Sequence, residues 1–379
     1  MIWILLAALG FSAIAMLIVI ASAHRHAHWS ADDDLSGPQK MHVKAVPRVG
    51  GIGILTGLCA GAALFAWLNG GHRVETVLML ACALPAFLSG IWEDFTKGIS
   101  PRRRMVALAL SGLLGVLLLG AKFTHTGWTF FDDLLASHRL LWMGAVGAVF
   151  AVTGISNSVN IIDGMNGLAS MCATMMSVAL AYIAWRVGDV LICGIAMASV
   201  GATLGFFVWN FPRGLIFLGD GGAYLLGFIV AELGILLTTR HPQVSMLAPL
   251  LIVAYPVFET LFTMYRRRVI QKRSMTQPDG SHLHTLIYRR LKRGAVGATG
   301  VRGSTRGNSG TSPYLWLLNA IAVIPATIWW SNTPALALSL CVFMLAYLDV
   351  YWRIVKFRTP RWMAYRRAAP PTAERLRKI

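Results

Sequence analysis

The feature that most constrains this chain is a series of eleven apolar blocks, at 1–23, 49–68, 75–92, 104–121, 140–156, 167–186, 189–209, 221–238, 244–264, 314–331 and 333–351. Each is close to the ~20 residues that carry a helix across the hydrocarbon core of a bilayer. The runs are continuous rather than alternating, so they do not suit a membrane barrel, and helices are the remaining way to span lipid. Composition agrees: 56% of the residues are hydrophobic and 13% charged, where soluble domains average about 25% charged. The expected fold is therefore an all-α integral membrane protein of about eleven transmembrane helices. Residues 1–351 read as one multi-pass domain and 352–379 as a basic tail. The first block lacks a basic leader and reads as a retained span, not a removed signal peptide. The five cysteines are scattered inside apolar blocks with no CxxC pair, which argues against a disulfide framework or a zinc ribbon.

A net charge of +18 could point to nucleic acid. Its distribution points to membrane lipids instead. With the amino terminus outside and the carboxyl terminus inside, segments 24–48, 93–104, 157–166, 210–220, 265–313 and 352–379 face the cytoplasm. They hold 29 of the 34 Lys and Arg residues, which is the bias that sets orientation in a bacterial plasma membrane. Basic groups there meet anionic headgroups, so no nucleic-acid partner is expected.

The unusual polar residues follow the same asymmetry. Pro47–Gly51 (PRVGG), Glu93–Lys97 (EDFTK), Asn157–Gly167 (NSVNIIDGMNG), Phe217–Gly222 (FLGDGG) and Pro278–His284 (PDGSHLH) all fall on the inner side. Five clusters from five loops on one face predict one composite site. The stretch from Ser156 to Gly167 is the richest, with Asn157, Asn160, Asp163 and Asn166 and no basic residue. Oxygen-bearing side chains of this kind suit a hard cation that shares its ligands with phosphates; an Asn/Gly turn between two helices would use some of the same residues.

Each remaining motif has a plain reading beside the functional one. Adjacent Glu93 and Asp94 at a helix end could be interfacial solvation, but with Asp163 and Asp220 on the same face they repel one another unless a cation or basic ligand sits among them. Asp220, followed by two glycines at a helix start, is either an N-cap or a group beside a phosphate-binding helix end. His282 and His284 lack a third ligand at zinc spacing and, beside Arg289, Arg290, Lys292 and Arg293, fit phosphate contacts better. The Arg266–Arg268 triplet reads equally as membrane anchoring, as does Arg48 with Lys40, His42 and Lys44 before it. The run 295–313, rich in Gly, Ser and Arg, reads as a mobile linker. A transporter would need ionisable residues at mid-bilayer; Glu232, Glu259 and Asp349 are the chief ones inside the blocks.

Taken in order, these motifs resemble the polyprenyl-phosphate N-acetylhexosamine-1-phosphate transferase superfamily (glycosyltransferase family 4 type), from about Lys40 to about Arg290. The resemblance rests on Lys40-Met41-His42 with Pro47–Gly51, Gly90–Asp94 with Lys97, Asn157 through Leu168, Phe217–Asp220 and His282-Leu283-His284. It implies a Mg²⁺-dependent reaction, or Mn²⁺ in its place, in which a UDP-N-acetylhexosamine gives its sugar 1-phosphate to undecaprenyl phosphate and UMP leaves. It implies that Asp220 and Asn160 hold the metal. Glu93 and Asp94 would stand near the attacking lipid phosphate, with Asp163 and His282 as further catalytic groups. Lys40, His42, Arg48, Lys97, Asn157, Asn166, Phe217 and His284 would bind the substrates, Phe217 by stacking on uracil. Related enzymes often form a homodimer, and the sequence leaves the oligomeric state open. Two departures from the family pattern, Glu93 for an Asp and Thr285 for a further His, turn the expectation toward the branch that starts O-antigen or other surface glycans. The phospho-MurNAc-pentapeptide transferases form the alternative branch.

Overall fold

A computed structural model describes residues 1–24, 46–125, 141–272, 281–294 and 301–356 of the chain. These are helices and short connections, with no β-strand among the described residues. In chain order the helices are α1 (Ile2–Ala21), α2 (Gly50–Leu68), α3 (Arg73–Thr96), α4 (Pro101–Leu114), α5 (Leu141–Ile162), α6 (Leu168–Val187) and α7 (Val190–Asn210). They continue with α8 (Gly219–Arg240), α9 (Leu247–Ile252), α10 (Ala254–Tyr265), α11 (Leu283–Gly294), α12 (Val301–Ile328) and α13 (Thr333–Val355). Nine of the helical stretches among the described residues are long and apolar enough to cross a membrane.

The other two predicted spans are interrupted helices. Block 104–121 is α-helical to Leu114 and continues as a π turn over Gly115–Leu119. Block 244–264 breaks at Val253 between α9 and α10, and a second π turn follows α10 over Arg266–Ile270. Neither break is a composition signal, because the apolar run continues through both.

The bundle is built around α8. Every residue from Gly219 to Thr238 is buried, because α2, α3, α5, α6 and α7 all pack against it. A helix apolar on all sides has no lipid-facing stripe and belongs at the centre. The approach of α2 and α3 is close: a Cβ on Gly51 would collide with the backbone of Gly222, and one on Gly90 with the backbone of Asp220 and Gly221. Small residues at such crossings let backbones touch in the absence of a hydrophobic drive between helices in lipid.

Three expectations about the connections are corrected. The loop predicted at 157–166 is helical to Ile162, so Asn157 and Asn160, three apart, share one face of the last turns of α5. The linker predicted at 295–313 is helical from Val301 onward, with Asn308, Ser309, Thr311 and Ser312 buried. The basic run after the histidines belongs to α11, which buries Leu283, Ile287 and Tyr288. There Arg290 donates to the Ile354 carbonyl at 2.7 Å and so closes the end of α13.

Candidate active site

The polar clusters do converge, and the N-terminus of α8 is where they meet. Helix starts leave backbone N–H groups without intrahelical partners. Here those of Asp220 and Gly221 donate to Oδ1 and Oδ2 of Asp94 at 2.8 and 3.0 Å. Asp94, almost fully buried at the end of α3, thus caps a helix from outside it, a position where a carboxylate is also favoured by the helix dipole. Asp220 lies on the first turn of α8. Its Oδ1 accepts from Asn160 Nδ2 at 3.0 Å and Arg48 Nη2 at 3.3 Å, and its Oδ2 from Arg104 Nη1 at 2.6 Å. Arg48 Nη2 also stands 3.8 Å from Asp94 Oδ1. Arg48 therefore bridges the two carboxylates, and Arg104 holds Asp220 from its other oxygen.

Arg48 is brought there by backbone pairing between two motifs. Phe217 N–H donates to the Pro47 carbonyl, and the carbonyls of Phe217 and Leu218 accept from Gly50 and Gly51. The αL conformation of Gly219, φ 74°, is open to glycine at no steric cost, and a Cβ there would strike the Asp94 carboxylate.

Beside this centre lies a cavity of about 320 Å³, lined by Arg48, Asn160, Asp163, Asn166, Phe217, His282 and His284 among others. Asp163 stands at its wall, partly exposed yet surrounded by protein. Burial pushes its carboxyl up to about 7, with the Arg48 charge opposing and the Asp220 charge adding to the rise. The imidazoles of His282 and His284 are stacked, their centroids 5.4 Å apart and their planes 5° from parallel. Gly164 makes room for the second ring, since a Cβ there would collide with the His284 imidazole.

Other predicted site residues are placed differently. Glu93 turns away from Asp94, as adjacent helix residues do, and its Oε2 accepts the Ile99 N–H at 2.8 Å to shape the α3–α4 turn. Lys97 is exposed in that turn with φ 51°, and neither it nor Asn157 lines the cavity. Asn166 lines the cavity but is committed to the scaffold. Its N–H donates to Asn308 Oδ1 at 2.7 Å, its carbonyl accepts from Ser312 Oγ at 2.6 Å, and its side chain reaches Ser309 and the Pro212 carbonyl. Lys40 and His42 lie outside the described residues.

Two side chains gain their importance only from the structure. Arg104 resembles its neighbours Arg102 and Arg103, all interfacial cations, and only the helix start at Ser100–Pro101 fixes which of the three turns inward. Arg266, which the sequence leaves open between anchoring and a site role, is buried. It donates to the Ser281 carbonyl at 2.6 Å and Tyr351 hydroxyl at 2.7 Å, so it holds the histidine segment against α13.

A hard cation fits this donor set in a limited way. Among the described residues no three His, Cys, Asp or Glu side chains form a metal cluster. Asp220 with Asn160, whose amide presents oxygen on rotation, and Asp163 across the cavity supply the few oxygen donors that suit an ion sharing its coordination with substrate phosphates.

Apolar helices whose ends enclose a polar, charge-lined cavity define a multi-pass membrane protein with its candidate site at the helix ends. The chain belongs to the glycosyl transferase family 4 proteins: that family's model matches residues 76–238. It is 30% identical over 277 residues, 72% of this chain and 74% of the relative, to a probable undecaprenyl-phosphate N-acetylglucosaminyl 1-phosphate transferase of Bacillus subtilis (strain 168). It is 28% identical over 261 residues, 66% of this chain and 67% of the relative, to an undecaprenyl-phosphate alpha-N-acetylglucosaminyl 1-phosphate transferase of Escherichia coli O157:H7. A phospho-N-acetylmuramoyl-pentapeptide-transferase of Pelagibacter ubique (strain HTCC1062) is 28% identical over 235 residues, 54% of this chain and 63% of the relative.

Proposed function

We infer that the chain transfers N-acetylhexosamine 1-phosphate from a UDP-sugar to undecaprenyl phosphate and releases UMP, at the cytoplasmic face of a bacterial plasma membrane. The observation that carries this reading is the paired Asp94–Asp220 centre, bound by Arg48 and Arg104 and opening beside a cavity lined by Phe217, Asn160 and the two histidines. Both substrates are anionic and one is confined to lipid, so a site at helix ends can meet the lipid phosphate and the nucleotide together.

The chemistry proposed is direct in-line transfer. An oxygen of the lipid phosphate attacks the sugar-linked phosphorus; the bond from that phosphorus to the bridging oxygen breaks, and UMP leaves with the oxygen. A phosphate monoester has its second pKa near 6, so the nucleophile is largely ionised at neutral pH and no strong base is required. Phosphoryl transfer is then mainly positioning and charge neutralisation. Arg48 and Arg104 supply fixed positive charge, His282 and His284 contact phosphate oxygens, and Phe217 stacks on the uracil. Asp94 is assigned to positioning, since both of its oxygens already hold backbone amides of α8; this counts against a covalent sugar-phosphate on that residue. Mg²⁺ bound by Asp220 and Asn160, or Mn²⁺ in its place, would neutralise the pyrophosphate and its leaving group.

A transporter finds less support. Of the chief acids away from the span ends, Asp349 is exposed and paired with Arg353 at 2.7 Å, and Glu259 is hydrogen-bonded to His282 of the cavity wall. Only Glu232 is buried with no hydrogen-bond partner among the described residues. Residues Glu93 and Thr285, together with the N-acetylglucosaminyl relatives, favour the surface-glycan branch.

The test is release of UMP by the purified protein with Mg²⁺, undecaprenyl phosphate and a panel of UDP-sugars that includes UDP-MurNAc-pentapeptide. Release that requires the lipid and one UDP-N-acetylhexosamine is expected. Release only with the pentapeptide substrate would move the chain to the peptidoglycan branch, and release of inorganic phosphate alone would make it a phosphatase.

A further inference from the structure

Glu259, on α10, is fully buried, and polar groups from three directions are aimed at its carboxylate. Tyr347 of α13 donates its hydroxyl to Oε2 at 2.6 Å. His282 Nδ1 stands 3.0 Å from Oε1, with Thr263 Oγ1 and the Leu283 N–H each 3.4 Å from the same oxygen. A carboxylate withdrawn from water among apolar helices is costly unless paired and hydrogen-bonded; this one is paired with a residue that lines the cavity.

The geometry has a chemical consequence. Nδ1 is engaged with Oε1 and the same ring lines the cavity, so Nε2, on its opposite edge, is the nitrogen available to a ligand there. A carboxylate on one nitrogen of an imidazole fixes its tautomer and orientation and raises the basicity of the other. Stacking against His284 limits rotation of the same ring. The interruption at Val253 and the π turn after Tyr265 bound the short segment that carries Glu259 and Thr263.

We propose that Glu259 is a positioning residue, held by Tyr347, that accepts the Nδ1–H of His282 and so presents Nε2 of that ring to the phosphates in the cavity. The inference rests on the transferase reading for its kinetic arm only. Its first test needs no turnover: ¹⁵N-histidine spectra of the full chain in detergent, with His282 assigned by His282→Gln. The expected result is a His282 ring protonated at Nδ1 in the native protein and a mixed tautomer in Glu259→Gln. An Nε2–H tautomer in the native protein, or an unchanged spectrum in Glu259→Gln, would overturn it.

The second test is a double-mutant cycle on lipid-dependent UMP release. Glu259→Gln is expected to lower kcat about 10- to 100-fold, the usual cost of losing an orienting partner, with a smaller change in KM. In a His282→Gln background the same substitution should change kcat by less than about 2-fold, because the residue acts through that ring. Equal losses in both backgrounds would make Glu259 a purely structural residue and overturn the proposal. If Glu259→Gln does not accumulate as folded protein, Tyr347→Phe takes its place, since it removes the donor to Oε2 and leaves the carboxylate. A loss that appears only when His282 is present is expected, and equal losses again overturn the proposal. Absence of lipid-dependent UMP release from the native protein would defeat the transferase reading while leaving the spectral test in force.

Discussion

Asp94 joins two tasks that residue type alone would separate. It is a carboxylate at the site proposed to hold the reacting phosphates and also the external cap of α8, so its removal should cost both activity and stability. Hydrogen bonds to a charged acceptor contribute about 1.5–3 kcal/mol each. Asp94→Ala should therefore abolish turnover and lower the melting temperature in detergent by an amount equivalent to about 2 kcal/mol or more. Asp220→Ala should abolish turnover with a smaller shift, because its contacts are to side chains that can turn to solvent. Equal melting temperatures for the two variants would refute the capping role. Asp163 makes a pH-dependent prediction. Its folded-state carboxyl titrates at about 7, above the ordinary 3.8, so the folded state binds more protons than the unfolded state between those values. Its contribution to stability is then greatest at low pH and is lost as pH rises through about 4 to 7. In EDTA the melting temperature should carry a falling component across that window, and Asp163→Asn should flatten it. An unchanged profile in that variant would show that another group is responsible.

The elements explain how much of this site is readable in the chain. Spans are legible because lipid leaves a helix few alternatives: α2, α6 and α7 start and end within a residue or so of the apolar blocks that predict them. The clusters at their ends are legible for the same reason, since polar atoms that cannot be satisfied in lipid are retained for a purpose. What is not legible depends on partners distant in sequence. Nothing in the Gly/Ser/Arg composition of 301–313 announces that Asn308 and Ser312 will hold Asn166. Nor does an isolated acid at position 259 announce His282. The glycines of VGG, GIWED and GDGG fall in or beside predicted spans, where the sequence does not say what they touch, and their use is helix contact. Gly51→Ala and Gly90→Ala each push a methyl group into the backbone of α8, where nothing flexible can yield. Overpacking of this kind costs about 1–3 kcal/mol, and the displaced α8 should also lose most lipid-dependent UMP release. Gly154 is the control: a Cβ there would have no neighbour within 4 Å, and Gly154→Ala should leave both measurements unchanged.

At the scale of the whole molecule, charge asymmetry and site placement must agree if the enzyme is to draw its nucleotide from the cytosol. Helix α3 provides the means of checking, because its two ends carry exposed glycines: Gly71 in the turn before it and Gly98 in the turn that follows Glu93 and Asp94. The positive-inside bias puts Gly98, near Arg102–Arg104, inside and Gly71 outside. A variant in which all five native cysteines are replaced would carry Gly71→Cys or Gly98→Cys as its sole thiol. A membrane-impermeant maleimide should label Gly71→Cys in intact spheroplasts and Gly98→Cys only after the membrane is opened. The opposite pattern would place the Asp94–Asp220 centre outside, away from any pool of UDP-sugar. That pattern would refute both the proposed orientation and the proposed transfer, because a donor confined to the cytosol cannot reach an acceptor phosphate held at the outer leaflet.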